Sequence, residues 1–199
     1  MNDEYKTIEK ESTGLFKDKG SKFLSYAFPV QTEDEVKELL QNLKKEHHNA
    51  RHHCYAWRIG TEEIQSRAND DGEPSSTAGK PILGQLQSFE VTNILLVVVR
   101  YFGGTLLGTS GLINAYKNAS TDALNNAEIV SKLVETEFEL SFSYPLMNPV
   151  MQVIKQESFD IVSTDFRESC KLRFKTRKNN AEKARGIFSE IYGVDIKPC

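Results

Sequence analysis

The run Thr92–Arg100, TNILLVVVR, restricts the architectures open to this chain more than any other segment. Ile94 to Val99 is aliphatic at every position, without the alternation of a half-exposed strand, so it reads as a central strand covered on both faces. A sheet with layers on each side is therefore expected around it. Phe23–Val30 reads as a second such strand, with Phe23, Ser25 and Ala27 on one face and Leu24, Tyr26 and Phe28 on the other, stopped by Pro29. The aliphatic run is far shorter than the roughly 20 residues a helix needs to cross a bilayer, and no membrane partner is expected.

Between these strands, Thr32 precedes an apolar stripe of Val36, Leu39, Leu40 and Leu43, with Glu35 placed to close a capping box, and a helix is predicted. His52–Ile59 returns as a strand. Ser66–Pro81 reads as a long loop dense in Asp, Gly, Ser and Pro. After the glycine-rich turn that follows Arg100, Thr109 or Ser110 can cap a helix carrying Leu112, Ile113, Tyr116, Ala119, Ala123, Leu124 and Ala127 at helical spacing.

From Thr136 the pattern changes. TEFELSFSY alternates with Phe138, Leu140 and Phe142 inward, and a helix follows from about Leu146 to Gln156. Phe159–Phe166 and Cys170–Arg177 read as strands, 180–192 as a helix, and VDIKP as a last strand. The order βαββαβ predicts a ferredoxin-like domain. The fold class expected is α+β in two domains, 1–132 and 136–199.

The net charge of −3 and pI near 5.9 exclude a protein that coats nucleic acid by bulk charge, so any such contact must be local. Three widely spaced cysteines fit neither a disulfide framework nor a paired zinc motif. The polar, acidic start MNDEYKTIEKES lacks the marks of a secretory signal, and a cytoplasmic location is expected.

All four histidines, His47, His48, His52 and His53, adjoin Cys54, a set that could ligate zinc. A helix end followed by a strand scatters these groups, so a structural role is expected ahead of a metal site, and no cofactor is called for. Gly103-Gly104-Thr105-Leu106-Leu107-Gly108-Thr109-Ser110 nearly matches the phosphate loop GxxxxGK[ST], with Thr109 in the lysine's place. Its amides and the following helix N-terminus can meet an anion; the alternative is a tight turn packed on the sheet. The Asp70–Pro81 stretch combines carboxylates, hydroxyls and Lys80, but GxSxG is absent and no catalytic set is identifiable. Asx and Ser/Thr turns are its simpler use. Lys171, Arg173, Lys175 and Arg177 fall on one face of a strand, to track a phosphate backbone or to pair with Glu137 and Glu139.

The stretches ARHHCYAWRIG, NDDGEPSSTAGKPIL and VVVRYFGGTLLGTSGLINAY, in this order, resemble the signature of the IMPACT/YigZ family. The resemblance implies a first domain similar to domain 2 of ribosomal protein S5 and a second similar to the last domain of elongation factor G. It implies contact with ribosomes or structured RNA, and a role in translation control, where the eukaryotic relative acts through a protein partner. The motif positions are His53, Ala56, Asp71, Gly72, Glu73, Pro74, Thr77, Gly79, Lys80, Pro81, Arg100, Gly103, Gly104, Gly108 and Gly111, with Ser76 and Ser110 where relatives often have glycine. Lys80 and Arg100, with the amides of Gly103, Gly104 and Gly108, are the candidate anion contacts. The expected function is a non-catalytic RNA- or ribosome-associated protein. The alternatives are a hydrolase or nucleotide-dependent enzyme using the Asp70–Lys80 loop with His53, and a pure protein-partner module.

Overall fold

A computed structural model describes residues 3–167 and 169–199. The chain divides into two compact units, Tyr5–Lys132 and Leu133–Cys199, the latter joined by Asp3 and Glu4.

The first unit runs β1 (Glu4–Ile8), β2 (Ser12–Asp18), β3 (Ser21–Pro29), α1 (Glu33–Glu46), β4 (His52–Ile59), β5 (Gln65–Asn69), α2 (Gly79–Ser88), β6 (Ile94–Tyr101), α3 (Gly108–Asn125) and β7 (Ile129–Leu133). Five strands form an antiparallel sheet in the order β2-β3-β6-β4-β5, while β1 and β7 pair separately. β6 sits at the centre, as its aliphatic run requires. Ile94, Leu96 and Val98 enter one core with Leu112 and Tyr116 of α3 and Ile82 and Leu86 of α2. Leu95, Val97 and Val99 enter the other, against Val36 and Leu43 of α1. Two buried faces on one strand explain why β6 carries no polar alternation.

α1 starts as its sequence dictates: Thr32 accepts from the Glu35 amide, and the Glu35 carboxylate accepts from the Thr32 amide. The predicted loop 66–81 is shorter in the structure. Its first residues form β5, which pairs with β4 from Ile59↔Gln65 to Tyr55↔Asn69, and its last residues open α2. Pro81 lies in the first turn of α2, where its missing N–H costs no helical bond. α3 also differs. It begins at Gly108 with Leu107 at the N-cap, and neither Thr109 nor Ser110 nor any other side chain among the described residues caps it. Ile113 is 40% exposed and points away from the core, its place in the stripe taken by Ala115.

The second unit runs β8 (Glu135–Phe142), α4 (Met147–Gln156), β9 (Asp160–Phe166), β10 (Cys170–Arg177), α5 (Ala181–Ser189) and β11 (Asp195–Pro198). Its sheet order is β11-β8-β10-β9, with all pairs antiparallel, which is the ferredoxin-like arrangement. Phe138, Leu140, Leu172 and Phe174 pack on one face against Val150 and Ile154 of α4 and Phe188 of α5.

Candidate functional site

The signature residues meet at one end of the first sheet, where the loop 70–78 crosses the ends of β4 and β6. Asp70 holds that loop. Its Oδ2 accepts from the Ser76 amide at 2.8 Å, and its Oδ1 accepts from Ala78 and Gly79 at 3.0 and 2.8 Å. Burial alone would push this carboxyl up; the three amide donors and the Lys80 charge outweigh it and hold it below the usual range. Asp71, at φ 41, accepts from the His53 amide at 2.7 Å through Oδ2 and from Lys44 at 3.3 Å, while its carbonyl accepts from His52 Nδ1. The Thr77 hydroxyl donates to the Pro74 carbonyl. The polar groups considered for hydrolytic chemistry thus hold the loop in one shape.

Beneath the loop lies a buried polar chain. Arg100 Nη1 donates to Glu73 Oε1 at 2.6 Å, and the Tyr116 hydroxyl donates to the same oxygen at 2.8 Å. Cys54 Sγ lies 3.3 Å from the Tyr116 hydroxyl. Burial pushes both the Cys54 thiol and the Tyr116 hydroxyl up, so both stay protonated. Arg100, expected as a surface anion contact, is 7% exposed and paired with a carboxylate; it is a core cation because β6 is the central strand. Its guanidinium carbon lies 5.5 Å from the Phe23 ring centre and 5.6 Å from that of Phe102, and among the described residues its Nε has no hydrogen-bond partner.

The glycine turn divides into two roles. Gly103 is where backbones touch: a Cβ there would lie 1.9 Å from the Gly20 carbonyl carbon, and its amide donates to Ser21 Oγ at 3.1 Å. That amide serves packing rather than an anion. Gly104 and Gly108 have φ of 89° and 70° and open space where a Cβ would stand. Gly111, within the first turns of α3, would place a Cβ 3.0 Å from Leu107 Cβ. Gly72, at φ 88, turns the loop above the His52 ring. Beside Gly108 opens a cavity of about 450 Å³, lined by Arg51, His52, Glu73, Arg100, Phe102 and Leu112 among others. Lys80 is exposed on the first turn of α2.

A second cavity of about 590 Å³ shares Phe102 with the first and is lined by Lys17, Lys22, His47 and Tyr101. Of these residues only His47 stood out in the sequence, as one of the four clustered histidines. Lys17 and Lys22 lie directly opposite each other across β2 and β3, joined by a turn in which Lys19 and Gly20 both have positive φ, 44° and 81°. Among the described residues none of Lys17, Lys19 and Lys22 forms an ion pair. His47 stands between two hydroxyls, Nε2 2.8 Å from Tyr26 and Nδ1 2.9 Å from Tyr101, and burial pushes the Tyr26 hydroxyl up. Among the described residues no group of three metal-ligating side chains converges, and His47, His52 and His53 each bond to different partners.

In the second unit the outward row on β10 faces carboxylates. Arg173 sits opposite Glu139 and Lys175 opposite Glu137; Arg173 pairs with Glu139 at 2.9 Å, and Lys171 reaches the same carboxylate at 3.9 Å. Lys175 reaches Glu135 at 3.9 Å, the residue opposite Arg177. The row is therefore partly neutralised by its neighbour strand.

Residues 19–124 match the Impact N-terminal domain. An IMPACT family member from Haemophilus influenzae is 39% identical over 156 residues, 77% of this chain and 76% of that protein. The IMPACT family member YigZ of Escherichia coli is 36% identical over 157 residues, 78% of this chain and 77% of that protein. The crystal structure of a hypothetical protein superposes on 98% of this chain and 97% of its own at a TM-score of 0.73 and 30% identity.

Proposed function

The chain belongs to the IMPACT family, and from that membership we propose that it is a non-catalytic, RNA- or ribosome-associated protein acting in the regulation of translation. The observation that carries the RNA reading is the facing pair Lys17 and Lys22. Like charges directly opposite each other destabilise a strand pair, so this arrangement costs the free protein stability. A phosphate between the two ammonium groups reverses the sign of that interaction. Lys19 at the turn extends the cationic edge, and the half-exposed Phe102 ring with Tyr101 offers a face for stacking a base beside it. Lys80 and the unmatched part of the β10 row supply further phosphate contacts. With a net charge of −3, the protein is suited to local docking rather than to coating a polyanion.

Sedimentation of the purified chain with ribosomes, and fluorescence anisotropy on a structured RNA, test this at ~50 mM and ~200 mM salt. Binding is expected to fall steeply over that range, and Lys17→Ala and Lys22→Ala are each expected to lower the salt slope by about one. Absence of the protein from ribosomal fractions and of any RNA affinity at the lower salt would overturn the reading.

A further inference from the structure

Among the described residues no side chain caps α3, so the amides of its first turn have no side-chain acceptor. Leu107, Gly108 and Thr109, which open the helix, line the 450 Å³ cavity, and Gly108 has open space where a Cβ would stand. A second observation is independent of the helix. Arg100 lines the same cavity, is 7% exposed, and among the described residues uses only Nη1 in a hydrogen bond, so donors of its guanidinium other than the wholly buried Nε remain for a ligand. A guanidinium has five N–H donors, and such a group left short of acceptors at a cavity wall marks a place for an anion. Arg51, exposed at the rim, adds charge of the same sign. The carboxylate in this wall, Glu73, is already answered by Arg100 and the Tyr116 hydroxyl.

Much of the remaining lining is apolar. Pro74, Phe102, Leu106 and Leu112 would gain nothing from an inorganic ion, and the cavity is several times larger than one. It falls within the range of roughly 300–1,000 Å³ typical of small-molecule sites. We propose that this cavity binds a nucleoside monophosphate unit, its phosphate on the opening amides of α3 with Arg100 and Arg51, its ring against Phe102 and the leucines. The unit comes from one of two sources, a free nucleotide or the 5′ end of an RNA chain; only the second rests on the RNA reading above.

Titration calorimetry of the full chain with AMP, GMP, CMP and UMP, beside the matching nucleosides and inorganic phosphate, reads both halves of the site. The monophosphates are expected to bind at least about tenfold more tightly than either fragment. Thr109→Glu puts a carboxylate at the second residue of α3, where acidic side chains favour the helix, so the variant folds while repelling phosphate. It is expected to weaken the monophosphates by about a hundredfold, and Arg51→Ala by about tenfold. Equal affinity for nucleoside or inorganic phosphate, unchanged affinity in Thr109→Glu, or no heat with any monophosphate at millimolar concentration overturns the proposal. Displacement of the nucleotide by a short 5′-phosphorylated RNA, and not by its unphosphorylated twin, supports the site with the chain end as its source. Nucleotide binding without such displacement supports it with the free nucleotide as source. RNA affinity that persists in Thr109→Glu but falls in Lys17→Ala keeps the translation reading alive if the nucleotide fails to bind, so the two stand or fall separately.

Discussion

Arg100 and Glu73, 27 residues apart in the chain, meet at 2.6 Å with side chains only 7% and 4% exposed, one from the central strand and one from the loop that crosses its end. Such a pair contributes little net stability as a whole, yet removing one partner leaves a buried charge uncompensated. Glu73→Ala is expected to cost about 3–5 kcal/mol, and the double variant Glu73→Met with Arg100→Met to recover most of it. Denaturant unfolding followed at Trp57, the single tryptophan and a residue of the first unit, measures both. A loss below about 1 kcal/mol for Glu73→Ala would mean that the pair is screened by solvent.

Ser76 adopts φ 65 in the loop that Asp70 ties down. The left-handed region costs a residue with a Cβ about 1–2 kcal/mol, which glycine avoids. Ser76→Gly is therefore expected to raise stability by up to about 1 kcal/mol, the remainder lost to the freer unfolded chain. Its amide still donates to Asp70, so the loop keeps its anchor. A higher unfolding midpoint at unchanged denaturant slope is the expected outcome, and a lower midpoint would show that the Ser76 side chain holds the loop.

Gly103 and Gly186 separate packing from propensity. At Gly103 a new Cβ meets backbone of Gly20 and Ser21 at 1.9–2.4 Å, which no rotamer change relieves, so Gly103→Ala is expected to destabilise the first unit by about 1–3 kcal/mol or more. Gly186 lies exposed in α5 with nothing within 4 Å of a Cβ, so Gly186→Ala is expected to stabilise the second unit by about 0.5–1 kcal/mol. Thermal unfolding of the two variants, with opposite shifts, checks the pair.

The sequence was legible where local chemistry and burial agree. The aliphatic run of β6 reads as two-sided because both its faces are buried, and the capping box of α1 needs only residues three apart. The hairpin of β2 and β3 escaped the reading because its turn is Lys19-Gly20 rather than the usual Asn-Gly, and because charged Lys17 breaks the apolar signal of β2. Asp18-Lys19-Gly20-Ser21 between alternating segments was the available sign. The burial of Arg100 was not legible at all: its charge argues for the surface, and only the loop residue Glu73, placed by the fold, makes burial tolerable. Phe102, at the junction of the two cavities, likewise acquires its position from the turn and not from any periodicity.

His53 extends the same reasoning to pH. It is 5% exposed, its Nε2 has no hydrogen-bond partner among the described residues, and its backbone amide donates to Asp71. Desolvation pushes the imidazole below its ordinary 6.5; Asp71 pulls the other way without overcoming it, and Lys44 adds to the depression. In the window below 6.5 the unfolded chain then binds a proton that the folded chain resists, so stability falls as pH drops through that window. Above it both states carry a neutral ring and His53 contributes no pH dependence. His53→Gln keeps a polar side chain but cannot titrate. Comparing urea unfolding at about pH 7.5 and about pH 5.5, the natural chain is expected to lose more stability than the variant, since every other titrating group is common to both and cancels in the difference. Parallel losses would mean that the folded protein accepts the proton on His53 freely.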